Sequence, residues 1–343
     1  IEAMLSASRL AASPSTSGRS SDLSACAGQC HRTARRSPLR ALPPRKSPLD
    51  SVDYYSGADS IDLESGSSPK SPALIAYENG TLGFGFSAGG LLFPYYLGVV
   101  SELRAMGILT DDTPVAGASA GSLIAACSKS GLGTGALKDA LTDLAAQCRR
   151  LGTRHNLGPV LEGVLREVLP QDMGERATAC NVHVAVTHVL PQPKPVLVSS
   201  YEGRDDLISA LLTSCHIPWY FDGRLTTTFR GVVACDGGLT NFLPAPTGAT
   251  HTVRVCCFPS SALGTRLGRL CITPDSYERW PHDMRAMLGW AFEPAPEPMM
   301  LSLIDKGARD ARAWATREGV AQAAAAAALQ HGVLAAAGRQ LLG

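Results

Sequence analysis

The chain has 343 residues, 45% of them hydrophobic, enough for one large or two ordinary folded domains and incompatible with wholesale disorder. Its charge is uneven: positions 1–49 carry eight basic and two acidic side chains, and the other 23 basic and 28 acidic side chains leave the rest at −5. That body lacks the clustered Lys and Arg of a nucleic-acid surface, and ten cysteines without a C-x-x-C pair read as buried thiols, neither a disulfide scaffold nor a metal site.

Residues 1–49, with ten serines and no apolar periodicity, read as an organelle transit peptide. A plastid is the first destination; a mitochondrion, or a disordered tail on a cytoplasmic protein, is the alternative. Positions 50–72 turn to Ser, Gly, Pro and acid, the composition of a solvated linker. The longest uncharged stretch follows at 79–101, 23 residues, long enough to ask whether it crosses a bilayer. Six glycines and Pro94 break it into a strand, a glycine loop and a helix, so no transmembrane segment is expected.

Strands are predicted over 82–86, 115–118, 182–189, 196–199, 231–235 and 252–258, and helices over 92–106, 121–130, 135–151, 159–169 and 205–213. Strands separated by helices point to an α/β domain, a mostly parallel sheet between helices, over 73–282. A helical C-terminal extension is expected over 283–343, ending in an Ala-rich stretch.

Two G-x-S-x-G patterns occur, Gly85-Phe86-Ser87-Ala88-Gly89 and Gly117-Ala118-Ser119-Ala120-Gly121. The pattern serves a nucleophile when the serine sits on a tight strand-to-helix turn, which only small neighbours permit. Ser119 meets that need: Ala on both sides, Gly117 and Gly121 outside them, a strand entering and a helix leaving. Around Ser87, bulky Phe86 and the pair Gly89-Gly90 suit a loop that presents backbone N–H groups to an oxyanion. Gly83, Gly85 and Ala88 also satisfy G-x-G-x-x-A, but the glycines fall inside the strand and no acid follows at the right distance, so no nucleotide is expected. A base is available in Asp236-Gly237-Gly238 at a strand end, or in His251 or His282, which lie after Asp236 in the Ser, Asp, His order of many hydrolases.

Together the glycine loop, the Ser119 elbow and Asp236-Gly237-Gly238 resemble the patatin-like phospholipase family over residues 81–258. Further likeness lies in Thr213-Ser214-Cys215-His216-Ile217-Pro218 and in the run from Asp236 to Pro244. The resemblance implies a three-layer α/β fold and a Ser and Asp dyad, here Ser119 and Asp236, with Gly89 and Gly90 as oxyanion donors and no metal or organic cofactor. It implies a lipid acyl hydrolase that cleaves fatty-acyl esters of glycerolipids (phospholipid, galactolipid or triacylglycerol) through an acyl-enzyme, at a peripheral membrane or lipid-droplet surface. The family loop usually reads D-G-G-G-x-x-G; this chain has Ser87-Ala88-Gly89-Gly90-Leu91-Leu92-Phe93, without the leading acid or the last glycine. Two rivals stay open: a catalytically silent lipid-binding or regulatory protein, and a Ser-His-Asp esterase. Met284, Met287, Trp290, Phe292, Met299 and Met300 are expected in the core, with an acyl chain or a bilayer as their alternative contact.

Overall fold

The computed structural model describes residues 69–263 and 271–341; the expected leader and residues 50–68 of the expected linker lie outside the described residues. The elements run α1 (Pro72–Glu78), β1 (Leu82–Phe86), α2 (Phe93–Ala105), β2 (Val115–Ala118), α3 (Ala120–Cys127), α4 (Thr134–Leu151) and α5 (Leu157–Val168). They continue with α6 (Met173–Ala179), β3 (Val182–His188), β4 (Lys194–Val198), α7 (Arg204–Ser214), β5 (Thr227–Phe229), β6 (Val232–Asp236) and β7 (His251–Val255). The last are α8 (Ser260–Leu263), α9 (Met284–Phe292), α10 (Glu297–Arg317) and α11 (Val320–Leu341).

The fold is α/β, a seven-stranded mixed sheet flanked by helices. β7, β1, β2 and β3 are parallel, and fully buried β1 and β2 read as continuous apolar runs because both faces are covered. The other half is antiparallel: β4 and β6 both pair with β3, and β5 with β6. Chain length accounts for β4, since five residues after β3 are too few for a crossover and enough for a hairpin. The β5–β6 turn sets Arg230 at φ 47° and Gly231 at φ 77°, so the expected strand at 231–235 begins one residue later and ends on Asp236.

β3 carries the arrangement that matters most. Val184 and Ala185 pair with both β2 and β4, and Val186 to His188 with both β4 and β6. A strand has two edges, so β2 and β6 lie end to end along the same one. Ala118, the last residue of β2, opposes Ala185; Asp236, the last of β6, opposes Val186.

The stretch at 79–101 does divide into β1, a loop and α2, and among the described residues no helix is long and apolar enough to cross a membrane. Gly83 and Gly85 sit inside β1 because the 244–249 segment crosses it: a Cβ on Gly85 would strike the Pro244 carbonyl, and one on Gly83 would come 2.7 Å from Ala249 Cβ. The G-x-G spacing thus records a chain crossing.

The helices after 283 belong to the core. α10 crosses α2 where a Cβ on Gly98 would strike the Ile304 carbonyl and one on Gly307 that of Tyr95. Beside the crossing Trp314 meets Phe84 edge to face at 5.8 Å, and buried Lys306 and Asp310 pair while Tyr95 Oη donates to Asp310 Oδ2 at 2.8 Å. Met287 and Met300 are buried, and Met284, Trp290, Phe292 and Met299 pack against the core as partly buried neighbours.

Candidate active site

Ser119 follows β2 and caps α3 with φ 52° and ψ −126°, a left-handed backbone that a side-chain-bearing residue holds only under strain. Small neighbours make the bend possible: a Cβ on Gly117 would strike the Gly121 carbonyl, and one on Gly121 the carbonyl of Phe86. The Ser119 carbonyl accepts from the Ser122 and Leu123 amides at 2.8 and 3.3 Å, and the Ser119 N–H donates to Ser214 Oγ at 2.9 Å. Ser214 Oγ in turn donates to the Ala185 carbonyl at 2.7 Å. Ser214 is a contributor that reasoning from sequence did not single out; the motif around it was visible, but its bond to the elbow depends on α7 ending beside β3.

Asp236 arrives from the other side of the β2–β6 junction. Its backbone N–H donates to the His216 carbonyl at 2.9 Å, Thr187 Oγ1 donates to its carbonyl at 2.8 Å, and Gly238 N–H donates to Oδ1 at 2.7 Å. A Cβ on Gly237 would strike the Ala185 carbonyl, and one on Gly238 would come 2.7 Å from Ala88 Cβ, so both glycines let the turn press against β3 and the glycine loop. Oδ2 is buried with no aligned hydrogen-bond partner, although the Ser119 hydroxyl is near enough to favour the carboxylate. Burial dominates and pushes the carboxyl up to about 7, against the Gly238 amide and the Ser119 hydroxyl, which pull it down. The site therefore holds a carboxylate whose proton affinity suits general-base work near neutrality.

In the glycine loop the Ser87 and Ala88 amides are committed to the Val255 and Phe242 carbonyls at 3.0 and 2.9 Å, whereas those of Gly89 and Gly90 have no partner among the described residues. Gly90 has φ 55° and faces the Ala291 carbonyl of α9, and Gly89 lies against Cys257 Sγ and Tyr96. The Ser87 hydroxyl is locked in the interior, 2.7 Å from Tyr96 Oη and 3.2 Å from Cys256 Sγ. β7 stops at Val255, so Cys256 and Cys257 lie beyond the strand that was expected to include them. Burial pushes the Cys256 thiol up to about 11 and the Cys257 thiol further, so both stay neutral.

Neither candidate histidine has a hydrogen bond to Ser119 or Asp236 among the described residues. His251 pairs with Leu82 at the start of β7, whereas the elbow follows the end of β2, at the opposite end of the parallel strands. His282 is wedged edge-on between Trp280 and Trp290, at 5.0 and 4.8 Å.

Gly90, Ser119 and Cys215 border a narrow cavity of about 90 Å³, partly open to solvent, whose walls are side chains of α3, α4 and α5 such as Leu123, Leu141, Leu161 and Leu165. At its polar corner α3 directs an N-terminal dipole and its first unpaired amides at Ser119. Among the described residues no cluster of His, Cys, Asp or Glu could hold a metal ion.

The sequence model described as patatin-like phospholipase matches residues 86–248, the stretch that holds the glycine loop, the elbow and Asp236. The chain belongs to the patatin-like phospholipase family. Patatin-like phospholipase domain-containing protein 2 of Mus musculus is 30% identical over 251 residues, 68% of this chain and 50% of that protein. 1-Acylglycerol-3-phosphate O-acyltransferase Pnpla3 of Mus musculus is 33% identical over 166 residues, 46% of this chain and 40% of that protein. Omega-hydroxyceramide transacylase of Mus musculus is 33% identical over the same length, 46% of this chain and 27% of that protein. The chain thus spans half or less of the length of these relatives. The crystal structure of VipD from Legionella pneumophila aligns with 69% of this chain and 66% of its own at 13% identity and a TM-score of 0.35.

Proposed function

We propose that this patatin-like chain is a serine-dependent lipid acyl hydrolase acting on fatty-acyl esters of glycerolipids, with Ser119 as nucleophile and Asp236 as base. The observation that carries the reading is the β3 register, which brings a strained serine and a buried aspartate together beside a cavity with apolar walls. Such walls suit an acyl chain and leave little for a charged substrate to bind.

Ser119 Oγ attacks the ester carbonyl carbon as its proton passes to Asp236, and the tetrahedral oxyanion is held by the Gly89 and Gly90 amides. The bond to the alcohol then breaks and Asp236 returns the proton to the departing oxygen. Water, deprotonated by Asp236, attacks the acyl-enzyme and releases a fatty acid and Ser119. The same acyl-enzyme would yield a new ester if an alcohol replaced water. The names of the acyltransferase and transacylase relatives support keeping that outcome in the assay.

A fluorophosphonate probe should label wild type and not Ser119→Ala, and phospholipid, galactolipid and triacylglycerol assays should show Ser119→Ala at least about a thousandfold slower. Ser87→Ala should keep its labelling. Unlabelled, folded wild type would replace this reading with the silent lipid-binding one. An acceptor alcohol in the same assay separates transfer from hydrolysis.

A further inference from the structure

The surface beside the cavity has a composition that catalysis does not use. The 217–225 turn and the α4–α5 junction are joined by His155 N–H to the Tyr220 carbonyl at 2.7 Å and Gly158 N–H to that of Phe221 at 3.1 Å. Inward, these segments line the cavity with Leu144, Leu157, Ile217 and Tyr220. Outward, they expose Leu151 at 49%, Trp219 at 56% and Leu225 at 50%. A tryptophan is seldom left in water, and this one is held there at φ 64°, a backbone region in which a bulky residue is strained. The turn is closed by Trp219 N–H donating to the Arg224 carbonyl at 2.8 Å, so the strain is built into its frame.

The flanking charge is basic. Arg150 is exposed and Arg154 half-exposed, and neither has an ion pair among the described residues; Arg224 is 75% exposed, 3.7 Å from Asp222. Asp222, half-buried, also lies 3.8 Å from the His216 ring. Of the neighbouring acids, Glu162 and Asp205 are both tied to Arg166, at 2.9 and 2.7 Å, and Glu293 accepts from Thr153 Oγ1 at 2.5 Å. Exposed Trp and Leu on the same segments as these guanidinium groups match a layer that is apolar within and anionic at its surface.

We propose that the 217–225 turn and the α4–α5 junction dock on an anionic phospholipid surface, Trp219 and Leu225 entering beneath the head groups and Arg150, Arg154 and Arg224 meeting them. The inference rests on the lipid-hydrolase reading, since docking there sets the segments that line the cavity against the substrate layer.

Binding is best measured on full-length Ser119→Ala, which keeps hydrolysis out of the readout, with phosphatidylcholine vesicles with and without phosphatidylserine. The protein should sediment with the serine-containing vesicles and release with salt. Adding Arg224→Glu or Trp219→Asn should weaken binding roughly tenfold each. Asn accepts the left-handed backbone, so Trp219→Asn should melt no lower than its parent, which separates lost docking from lost folding. Vesicle binding unchanged by both substitutions, or none by the parent, overturns the proposal. So does a dimer of the parent that both substitutions dissolve while vesicles go unbound. Binding without wild-type hydrolysis would instead sink the enzymatic reading and leave the docking surface standing.

Discussion

Ser119 and Asp236 are held by different means, and each yields its own test. Folded Asp236 keeps its proton up to about pH 7, whereas the free side chain releases it near 3.8, so native stability falls as pH rises between those values. Asp236→Asn should therefore melt above wild type at pH 8, match it in acid and lose hydrolysis. In wild type the acylation rate should climb with pH and level off above about 7. Ser214→Ala leaves the Ser119 amide without its acceptor, a loss of about 1–3 kcal/mol that should appear in kcat, roughly tenfold or more, with KM little changed. Ser119, Asp236 and the paired glycines were legible because a tight bend restricts residue choice so severely that small residues announce it. Ser214 was not, because nothing in a chain of letters says which serine of a helix end reaches another strand's elbow.

Most elements were legible, α4 because it buries Leu137, Leu141 and Leu144, which the helical spacing set apart, and β1 and β2 because they are short apolar runs. Those that escaped were short or paired by tertiary context: α1, begun by Ser71 Oγ accepting the Leu74 amide at 3.1 Å, seven-residue α6, and three-residue β5, which exists only against β6. The antiparallel half of the sheet escaped too, because connection length, not strand composition, decides direction. The α2–α10 crossing offers a sharp test of packing. Gly307→Ala places a methyl group against the Tyr95 carbonyl and should cost about 1–3 kcal/mol in denaturant unfolding. Gly289→Ala, on α9 with open space around it, should cost nothing or stabilise.

Across the whole molecule, the helices after residue 283 close the structure over α2 and the glycine loop. Burial pushes the Asp310 carboxyl up to about 6 against the pull of Lys306, so the pair holds α10 in place at a desolvation cost. Lys306→Ala should strand that carboxylate and lose about 3–5 kcal/mol at neutral pH, less in acid where Asp310 is protonated. Truncation after Phe292 should leave Phe84 and the face of α2 uncovered and abolish cooperative unfolding. The apolar residues of 283–300 were legible as core, but that α10 would lie across α2 and cover Phe84 was not, because the Gly98 and Gly307 contacts join segments about 200 residues apart.

Because β2 and β6 share one edge of β3, Ser119 and Asp236 ride on neighbouring rungs of a single rail, while the apolar walls of the cavity belong to separate helices. Warming that loosens those helices should spoil grip before it spoils proton exchange, so KM should climb at temperatures where kcat is still rising.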